Sequence, residues 1–325
     1  MQVGTGKIVV LGTGGTIAGT AAEAGDNIGY KAGQVGISEL LDAIPGLAQA
    51  AGGRIEAEQI AQIDSKDMDF AVWRQLGLRC AQLLADADVR GIVVTHGTDT
   101  LEETAWFLHS VLSADRPVVL ASAMRPASAM SPDGPQNLLD AVTVAATAGA
   151  RGVLAVAAGT IHGARHVQKV HPYQLDAFSS GEAGPVGWVE EGAVRLTSGW
   201  PEPLGSPASL QARLKSVADT LLWPRVEILM NHAGADGRIV DLLVRDGADG
   251  IVVAATGNGT VHQSLGDALQ RAHASGVDVR ISTRCHKGQV LPKPGDVLPH
   301  SQGLSPVKAR ISLLLELLAR PRHGG

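Results

Sequence analysis

The stretch VVLGTGGTIAGT, residues 9–20, joins an apolar run to a turn that holds four glycines and three threonines. A second stretch, GIVVTHGTDT at residues 91–100, has the same form, since a β-branched run ends in a polar turn. Short apolar runs bounded by such turns are typical of buried parallel strands. A phosphate site is not indicated, because the third glycine of the dinucleotide fingerprint and the Gly-Lys-Ser/Thr of a Walker motif are both missing.

Further apolar runs follow along the chain and alternate with stretches of helical periodicity: KIVVL, PVVLAS, GVLAVAA, VEILM, GIVVAAT and VDVRIS. This alternation predicts an α/β fold, with a mostly parallel sheet and flanking helices in a larger N-terminal domain and a smaller C-terminal α/β domain. Residues 197–212 are rich in Pro, Gly and Ser and have no periodicity. They are predicted to be a linker between an N-terminal domain at 1–196 and a C-terminal domain at 213–325.

Two helix starts are marked by their capping residues. Thr100 and Glu103 have the spacing of a T-x-x-E capping box in front of the sequence LEETAWFLHSVL. Ser305 followed by Pro306 has the form of a cap and a first helical residue in front of VKARISLLLELLAR. We therefore predict that helices begin at these two points.

Composition excludes several classes of protein. The chain has 325 residues and a net charge of −5 without any basic block, which argues against a nucleic-acid partner. No run approaches the ~18 apolar residues of a membrane span, and the N-terminal apolar run is too short for a signal-peptide core. We therefore expect a cytoplasmic protein with no membrane partner. Cys80 and Cys285 form no CxxC pair, so we expect two buried thiols and neither a metal site nor a disulfide.

The two polar turns are candidates for a catalytic site. Glycines in the first turn can clear space so that one threonine hydroxyl acts as a nucleophile, although most loop threonines only satisfy backbone groups. Carboxyl ends of parallel strands meet at one edge of a sheet, so this turn and the one at residues 95–100 should face one crevice. Asp99 is either part of that site or a helix cap. His96 fits a buried core histidine equally well, and we assign it no catalytic role.

Together, GTGGTIAG and VVTHGTDTLEET resemble the bacterial L-asparaginase family of threonine-dependent amidohydrolases. The resemblance continues in order through SAMRP, SPDGPQNL, GARHVQK, GADGIVVAATGNGT and SPVKAR, and so covers nearly the whole chain. It implies that Thr16 is the primary nucleophile and that Tyr30, in a loop before Gly-x-Val-Gly, is its phenolic neighbour. It also implies a second catalytic group made of Thr98, Asp99 and Lys169.

The same resemblance implies how the substrate is held. Ser65 is expected to bind the α-carboxylate, Asp99 the α-ammonium group and the Ala123 carbonyl the side-chain amide. Gly15 and Thr98 also belong to the implied substrate-binding set. Lys66 belongs to it as well, but it stands where the family usually has glutamine. Its side chain either pairs with the substrate carboxylate or points to solvent, which leaves only backbone contacts there.

The implied activity is conversion of L-asparagine to L-aspartate and ammonia, with no metal and no cofactor. Asn258 and Thr260 are expected to close the crevice of a neighbouring subunit in a homotetramer built from close dimers. Alternatively, Thr260 merely caps the following helix. The competing functions are a dual glutaminase-asparaginase and, from another class, a non-catalytic amino-acid-binding module. The related amidase subunit that acts on misacylated tRNA is not favoured, because it carries an extra N-terminal domain and the catalytic strand here starts at Lys7.

Overall fold

The computed structural model describes residues 6–23 and 25–320. Residues 1–5 and 321–325, the outer ends of the two predicted domains, lie outside the described residues. The chain divides into two compact units, Met1–Leu214 and Lys215–Gly325. Each unit has its own sheet and its own helices, which confirms the predicted fold class.

The first unit is built on ten strands: β1 Lys7–Gly14, β2 Arg54–Ile63, β3 Val89–Thr95, β4 Pro117–Ala121, β5 Gly152–Ala157, β6 Thr160–Gly163, β7 Gln168–Lys169, β8 Phe178–Ser179, β9 Gly187–Glu190 and β10 Ala193–Leu196. Eight of them form one sheet in the order β2-β1-β3-β4-β5-β6-β9-β10. Strands β1 to β5 are parallel, and β6, β9 and β10 continue the sheet antiparallel. Strands β7 and β8 form a separate antiparallel pair.

The strand order reverses beside β1. From β1 the chain first adds β2 on one side and then returns to add β3 on the other. Ligands of open α/β sheets bind outside the carboxyl ends of the strands beside such a reversal. Here the two neighbours are β1 and β3, so the glycine-rich turn and the second polar turn both adjoin this switch point.

Five helices accompany these strands: α1 Ile37–Asp42, α2 Leu47–Ala51, α3 Phe70–Ala85, α4 Leu101–Val111 and α5 Gly134–Ala146. A further helix, α6 Pro207–Asp219, contains the boundary between the two units. Strand side chains alternate between the two sheet faces, and Ile8, Val10 and Val93 belong to the buried cluster that α1, α2 and α5 complete. Helices α3 and α4 contact strands of the same sheet and each other. Trp73 of α3 stacks on Phe107 of α4 with ring centroids 5.0 Å apart.

The second unit contains β11 Val226–Met230, β12 Gly250–Ala255 and β13 Asp278–Thr283, with α7 Arg238–Arg245, α8 Gln263–Ala274 and α9 Pro306–Ala319. The three strands are parallel, with β12 in the centre and buried throughout. Ile251 and Val253 pack with apolar residues of α7 and α8. Gly250 lies against Leu313 of α9. Helix α9 starts at Pro306 with Ser305 as its N-cap residue, which confirms the predicted helix start.

Two details differ from the sequence-based expectations. Cys80 is buried in α3, but Cys285 is exposed, so the prediction of two buried thiols is wrong for Cys285. It lies in the irregular segment after β13, where no apolar face of a helix or strand carries it inward. The last part of the predicted linker, residues 207–212, is helical because α6 begins at Pro207.

Two kinds of feature are absent from the described part of the chain. It contains no helix that is long and apolar enough to cross a membrane. Within the same residues, no group of three or more His, Cys, Asp or Glu side chains is placed to hold a metal ion.

Gly91 provides a test of how closely α5 packs on β3. A Cβ atom at this position would lie 2.5 Å from the carbonyl oxygen of Ala145 in α5. Because that neighbour is backbone, we expect Gly91→Ala to lower the free energy of unfolding by about 1–3 kcal/mol. Gly199 has no atom within 4 Å of the corresponding position, so Gly199→Ala should change it by less than about 0.5 kcal/mol. Urea unfolding followed by circular dichroism measures both values, and equal stability of the two variants would contradict the packing.

Candidate active site

The three threonines of the first turn have different partners. The buried Thr13 hydroxyl donates to the Thr95 carbonyl oxygen at 2.8 Å and so ties the end of β1 to the end of β3. The backbone of Thr20 pairs with that of Lys31 in both directions, at 3.0 and 2.9 Å. Thr16 alone of the three has its hydroxyl hydrogen-bonded to another side chain in the described residues: its oxygen lies 2.7 Å from the Tyr30 phenol. The structure thus singles out Thr16, the threonine predicted to be the nucleophile.

Glycines permit the ends of three strands to meet. Gly15 has a φ of +83°, and a Cβ atom there would lie 2.3 Å from the backbone nitrogen of Gly97. A Cβ atom at Gly97 would lie 2.4 Å from the Ser65 Oγ. The turns that follow β1, β3 and β2 are therefore in close contact, with no space for a side chain between them. Thr16 and Thr98 each follow one of these glycines directly.

Tyr30 is brought to Thr16 by a loop that is fastened at its base. The Thr20–Lys31 backbone pair closes the loop, and the Gly33 and Gln34 N–H groups donate to the Gly15 and Ala18 carbonyls at 3.0 and 2.6 Å. Gly19 leaves room for the aromatic ring, since a Cβ atom there would lie 2.8 Å from the Tyr30 Cδ2. The predicted pairing of Thr16 with Tyr30 is therefore present as a direct hydrogen bond.

The second group is also assembled. Lys169, on β7, donates from Nζ to the Thr98 Oγ1 at 2.8 Å and to the Asp99 carboxylate at 2.6 Å. Thr98 is 6% exposed, whereas the Asp99 side chain is 53% exposed and so remains open to a ligand. Asp99 does not occupy the N-cap position of α4, which is Thr100. The two alternatives for Asp99 are a site residue and a helix cap. In the structure its carboxylate is bonded to Lys169 and does not cap α4.

Ser65 is fixed between β2 and the second turn. Its Oγ accepts the Asp99 N–H at 3.2 Å, and its carbonyl oxygen accepts the Thr100 hydroxyl at 2.8 Å. The capping box predicted from Thr100 and Glu103 is therefore wrong, because the Thr100 side chain makes no capping hydrogen bond. The hydroxyl is used for a tertiary contact that positions Ser65.

Lys66, next to Ser65, is oriented by two carboxylates. Its Nζ lies 2.8 Å from Asp64 and 3.1 Å from Asp67, and its side chain is 61% exposed. The hydrogen bond to Asp64, together with the one to Asp67, raises the pKa of Lys66 above its ordinary value. Of the two orientations considered for this lysine, the structure has the one that points to solvent.

The turn after β4 carries Ala123 at the same end of the sheet. Asp133 holds this turn, because its carboxylate accepts the N–H groups of Met124 and Arg125, both at 2.9 Å. A Cβ atom at Gly134 would lie 2.8 Å from Ile17 and 3.4 Å from the Ala123 Cβ. Ala123 is thus close to the turn that contains Thr16.

His96 is a residue of the second turn for which the sequence indicates no catalytic role. It is fully buried, and its Nδ1 lies 2.7 Å from the Gly97 carbonyl oxygen. Burial lowers its pKa to about 4, because desolvation disfavours the charged imidazolium. The position of His96 directly before the glycine of a polar turn can be read from the sequence. Its contact with the adjacent carbonyl is visible only in the structure.

Asn258 and Thr260 lie in the second unit, after β12. The Asn258 amide donates to the Leu291 carbonyl at 3.1 Å and accepts the Leu291 N–H at 2.7 Å. The Thr260 hydroxyl donates to the Thr256 carbonyl oxygen at 3.0 Å. Thr260 does not cap the following helix, since the N-cap residue of α8 is His262. The capping alternative for Thr260 is therefore wrong.

Sequence and structure comparisons show to which family the chain belongs. Residues 7–201 match the family described as Asparaginase, N-terminal, and residues 225–322 match the Glutaminase/Asparaginase C-terminal domain. The chain belongs to the asparaginase family. It is 38% identical over 317 residues to L-asparaginase 2 of Bacillus subtilis (strain 168), covering 96% of this chain and 82% of that protein.

Two further relatives cover almost the whole chain. A glutaminase-asparaginase of Pseudomonas fluorescens biotype A is 38% identical over 321 residues, which is 96% of this chain and 86% of that protein. The crystal structure of a probable cytoplasmic L-asparaginase from Campylobacter jejuni superimposes with a TM-score of 0.88 at 36% identity. That match covers 96% of this chain and 95% of the other.

The burial of His96 makes a prediction about acid stability. An unfolded histidine takes up a proton below its ordinary pKa of about 6.5, whereas folded His96 stays neutral until about pH 4. Its contribution to the free energy of unfolding is therefore complete above pH 6.5 and is lost as the pH falls towards 4. The shift corresponds to about 3 kcal/mol. Urea unfolding of wild type and His96→Asn at several pH values should show this extra loss in the wild type only, and parallel curves would contradict it.

Proposed function

We propose that this asparaginase-family chain hydrolyses L-asparagine to L-aspartate and ammonia through an acyl ester on Thr16. The observation that carries the proposal is the pair of threonine hydroxyls at the switch point of the sheet. One bonds to the Tyr30 phenol at 2.7 Å and the other to the Lys169 Nζ at 2.8 Å. A hydroxyl nucleophile needs a neighbour with which it can exchange a proton, and each of these hydroxyls is hydrogen-bonded to a group that carries an exchangeable proton. Relatives named L-asparaginase support the same substrate.

The chemistry runs in two steps. The Thr16 Oγ attacks the carbonyl carbon of the substrate's side-chain amide, so that a C–O bond forms and the C–N bond breaks. The hydroxyl proton leaves with the amide nitrogen, which departs as ammonia. Water then attacks the ester carbonyl, aspartate is released, and a proton returns to the Thr16 Oγ. Tyr30 exchanges protons with the Thr16 hydroxyl. Lys169, which is held by Asp99, relays protons through Thr98.

Substrate recognition is assigned to groups around the same crevice. Ser65 binds the α-carboxylate and the half-exposed Asp99 binds the α-ammonium group. The backbone of Gly15 and the carbonyl of Ala123 hold the side-chain amide. Lys66 contributes through its backbone, because its ammonium group is engaged by Asp64 and Asp67.

The proposed assembly is a homotetramer of close dimers in the cytoplasm. In each close dimer Asn258 and Thr260 of one subunit complete the crevice of the other. The rigid anchoring of Asn258 by Leu291 supports this, since a group that reaches a neighbouring site must be held in place. Two observations support the location: the Campylobacter jejuni relative is described as probably cytoplasmic, and Cys80 and Cys285 are free thiols.

A dual glutaminase-asparaginase is the second candidate, favoured by the name of the Pseudomonas fluorescens relative. Glutamine is longer than asparagine by one methylene group. Exclusion by fit alone is worth about 10–200-fold in kcat/KM. We expect asparagine to be the better substrate and glutaminase activity to be a minor side reaction.

Ammonia release from asparagine and from glutamine tests these assignments. Thr16→Ala should lower kcat by about three orders of magnitude or more with the fold intact by circular dichroism, because the acyl ester cannot form. Thr20→Ala is the matched control from the same turn, since only the Thr20 backbone pairs with Lys31, and it should stay active. A wild type that binds asparagine without releasing ammonia would make the chain a binding module. Equal kcat/KM for both amides would make it a dual enzyme.

A mixing experiment tests the shared crevice. Thr16→Ala and Asn258→Ala should each be nearly inactive alone, because each lacks one part of every site. Each mixed dimer of two-fold symmetry has one site that carries neither substitution. In a random mixture, about a quarter of all sites are therefore intact after subunit exchange. Activity should therefore return to about a quarter of the wild-type value. No recovery after exchange, verified by mass spectrometry of the mixed oligomers, would place Asn258 outside the neighbour's crevice.

A further inference from the structure

His96 is bonded to the peptide group that follows it. Its Nδ1 lies 2.7 Å from the Gly97 carbonyl oxygen, within a fully buried environment. A carbonyl oxygen can only accept, so Nδ1 carries the ring proton and Nε2 is the unprotonated nitrogen. Nε2 is buried and has no hydrogen-bond partner among the described residues. The hydrogen bond to Gly97 is therefore the polar contact that fixes this imidazole.

The peptide bond transmits that hydrogen bond to Thr98. The described chain contains no cis peptide bond, and in a planar trans peptide the C=O and N–H groups point in opposite directions. Since the Gly97 carbonyl points at the buried imidazole, the N–H of Thr98 points away from it. Among the described residues no backbone carbonyl accepts this N–H group. The same stretch of backbone touches Gly15, the residue before Thr16.

We propose that His96 is a positioning residue, which holds the Gly97–Thr98 peptide so that the Thr98 N–H is aimed at the oxygen that becomes negative when Thr16 attacks. The proposal rests on the proposed amidohydrolase function. Gly97 has no side chain to restrain this peptide, and glycine rotates more freely than any other residue. A donor for a developing oxyanion acts only if it is held in place before the reaction. His96 supplies the restraint from inside the protein without touching the substrate.

Burial keeps the His96 imidazole neutral near neutral pH. With a pKa of about 4, the imidazole is neutral at neutral pH and keeps its single proton on Nδ1. Two charged residues of the site, Asp99 and Lys169, are paired with each other. His96 is therefore not expected to contribute a step of its own to the pH profile of kcat near neutrality.

Two substitutions separate positioning from simple packing. Asparagine places its amide N–H₂ where the histidine Nδ1 lies, whereas glutamine places it nearer to the position of Nε2. In His96→Gln and His96→Leu, kcat for asparagine should fall about tenfold with KM changed less than about twofold, because the donor acts in the transition state. His96→Asn should keep kcat within about threefold of the wild type. His109→Leu removes a histidine of similar burial from the last turn of α4 and should leave kcat unchanged.

The outcomes are distinguishable. Release of ammonia by the wild type is the condition set by the proposed function, and its failure there would overturn that function. If the wild type is active and the glutamine and asparagine variants have the same kcat, the positioning role is wrong, whatever the stability of the leucine variant. A parallel rise of KM in place of a fall in kcat would equally overturn it, since that pattern indicates a role in ground-state binding.

Discussion

The site depends on the contact between two glycine backbones. Gly15 and Gly97 approach so closely that a Cβ atom on the first would lie 2.3 Å from the nitrogen of the second. Each glycine directly precedes one of the two site threonines, so their contact brings the backbones of Thr16 and Thr98 close together. The buried hydrogen bond from Thr13 to the Thr95 carbonyl fixes the same two strand ends from the inner side. The order of the strands, the two glycines and the Thr13 hydroxyl thus all act on the same place, the ends of β1 and β3.

The sequence predicted this part of the molecule well because the information is local. β-Branched runs predicted the strands, and the turns that follow them contain Thr16 and Thr98. Lys169 was different: it lies on a two-residue strand, 70 positions from Asp99, and no periodicity marks it, so only the family resemblance indicated it. Thr100 is the N-cap residue of α4, but its hydroxyl does not make the predicted capping hydrogen bond, because a local motif cannot show a competing tertiary acceptor, here the Ser65 carbonyl. For His96 the sequence indicates no catalytic role, and its contact with the neighbouring Gly97 carbonyl is visible only in the structure.

The ion pair between Lys169 and Asp99 matters more for where it holds the Lys169 ammonium group than for the stability of the fold. Lys169 and Asp99 are 2.6 Å apart, but the Asp99 side chain is 53% exposed. Pairs in such an environment contribute only about 0–1 kcal/mol to folding. What the pair does fix is the Nζ atom, which is held between a carboxylate and the Thr98 hydroxyl at 2.8 Å. The exposed part of the carboxylate is the group that we propose to bind the α-ammonium group of the substrate.

The loop that carries Tyr30 separates a fixed base from an open tip. Its base is fastened by backbone hydrogen bonds between Thr20 and Lys31, and Tyr30 lies directly beside that base. Towards the tip, the Asp26 carboxylate accepts the N–H groups of Ile28 and Gly29, while the Ile28 side chain is 80% exposed. Segments with so little apolar burial open at low free-energy cost. The contact of the phenol with the Thr16 hydroxyl therefore does not depend on the exposed tip, because Tyr30 lies at the fastened end of the loop.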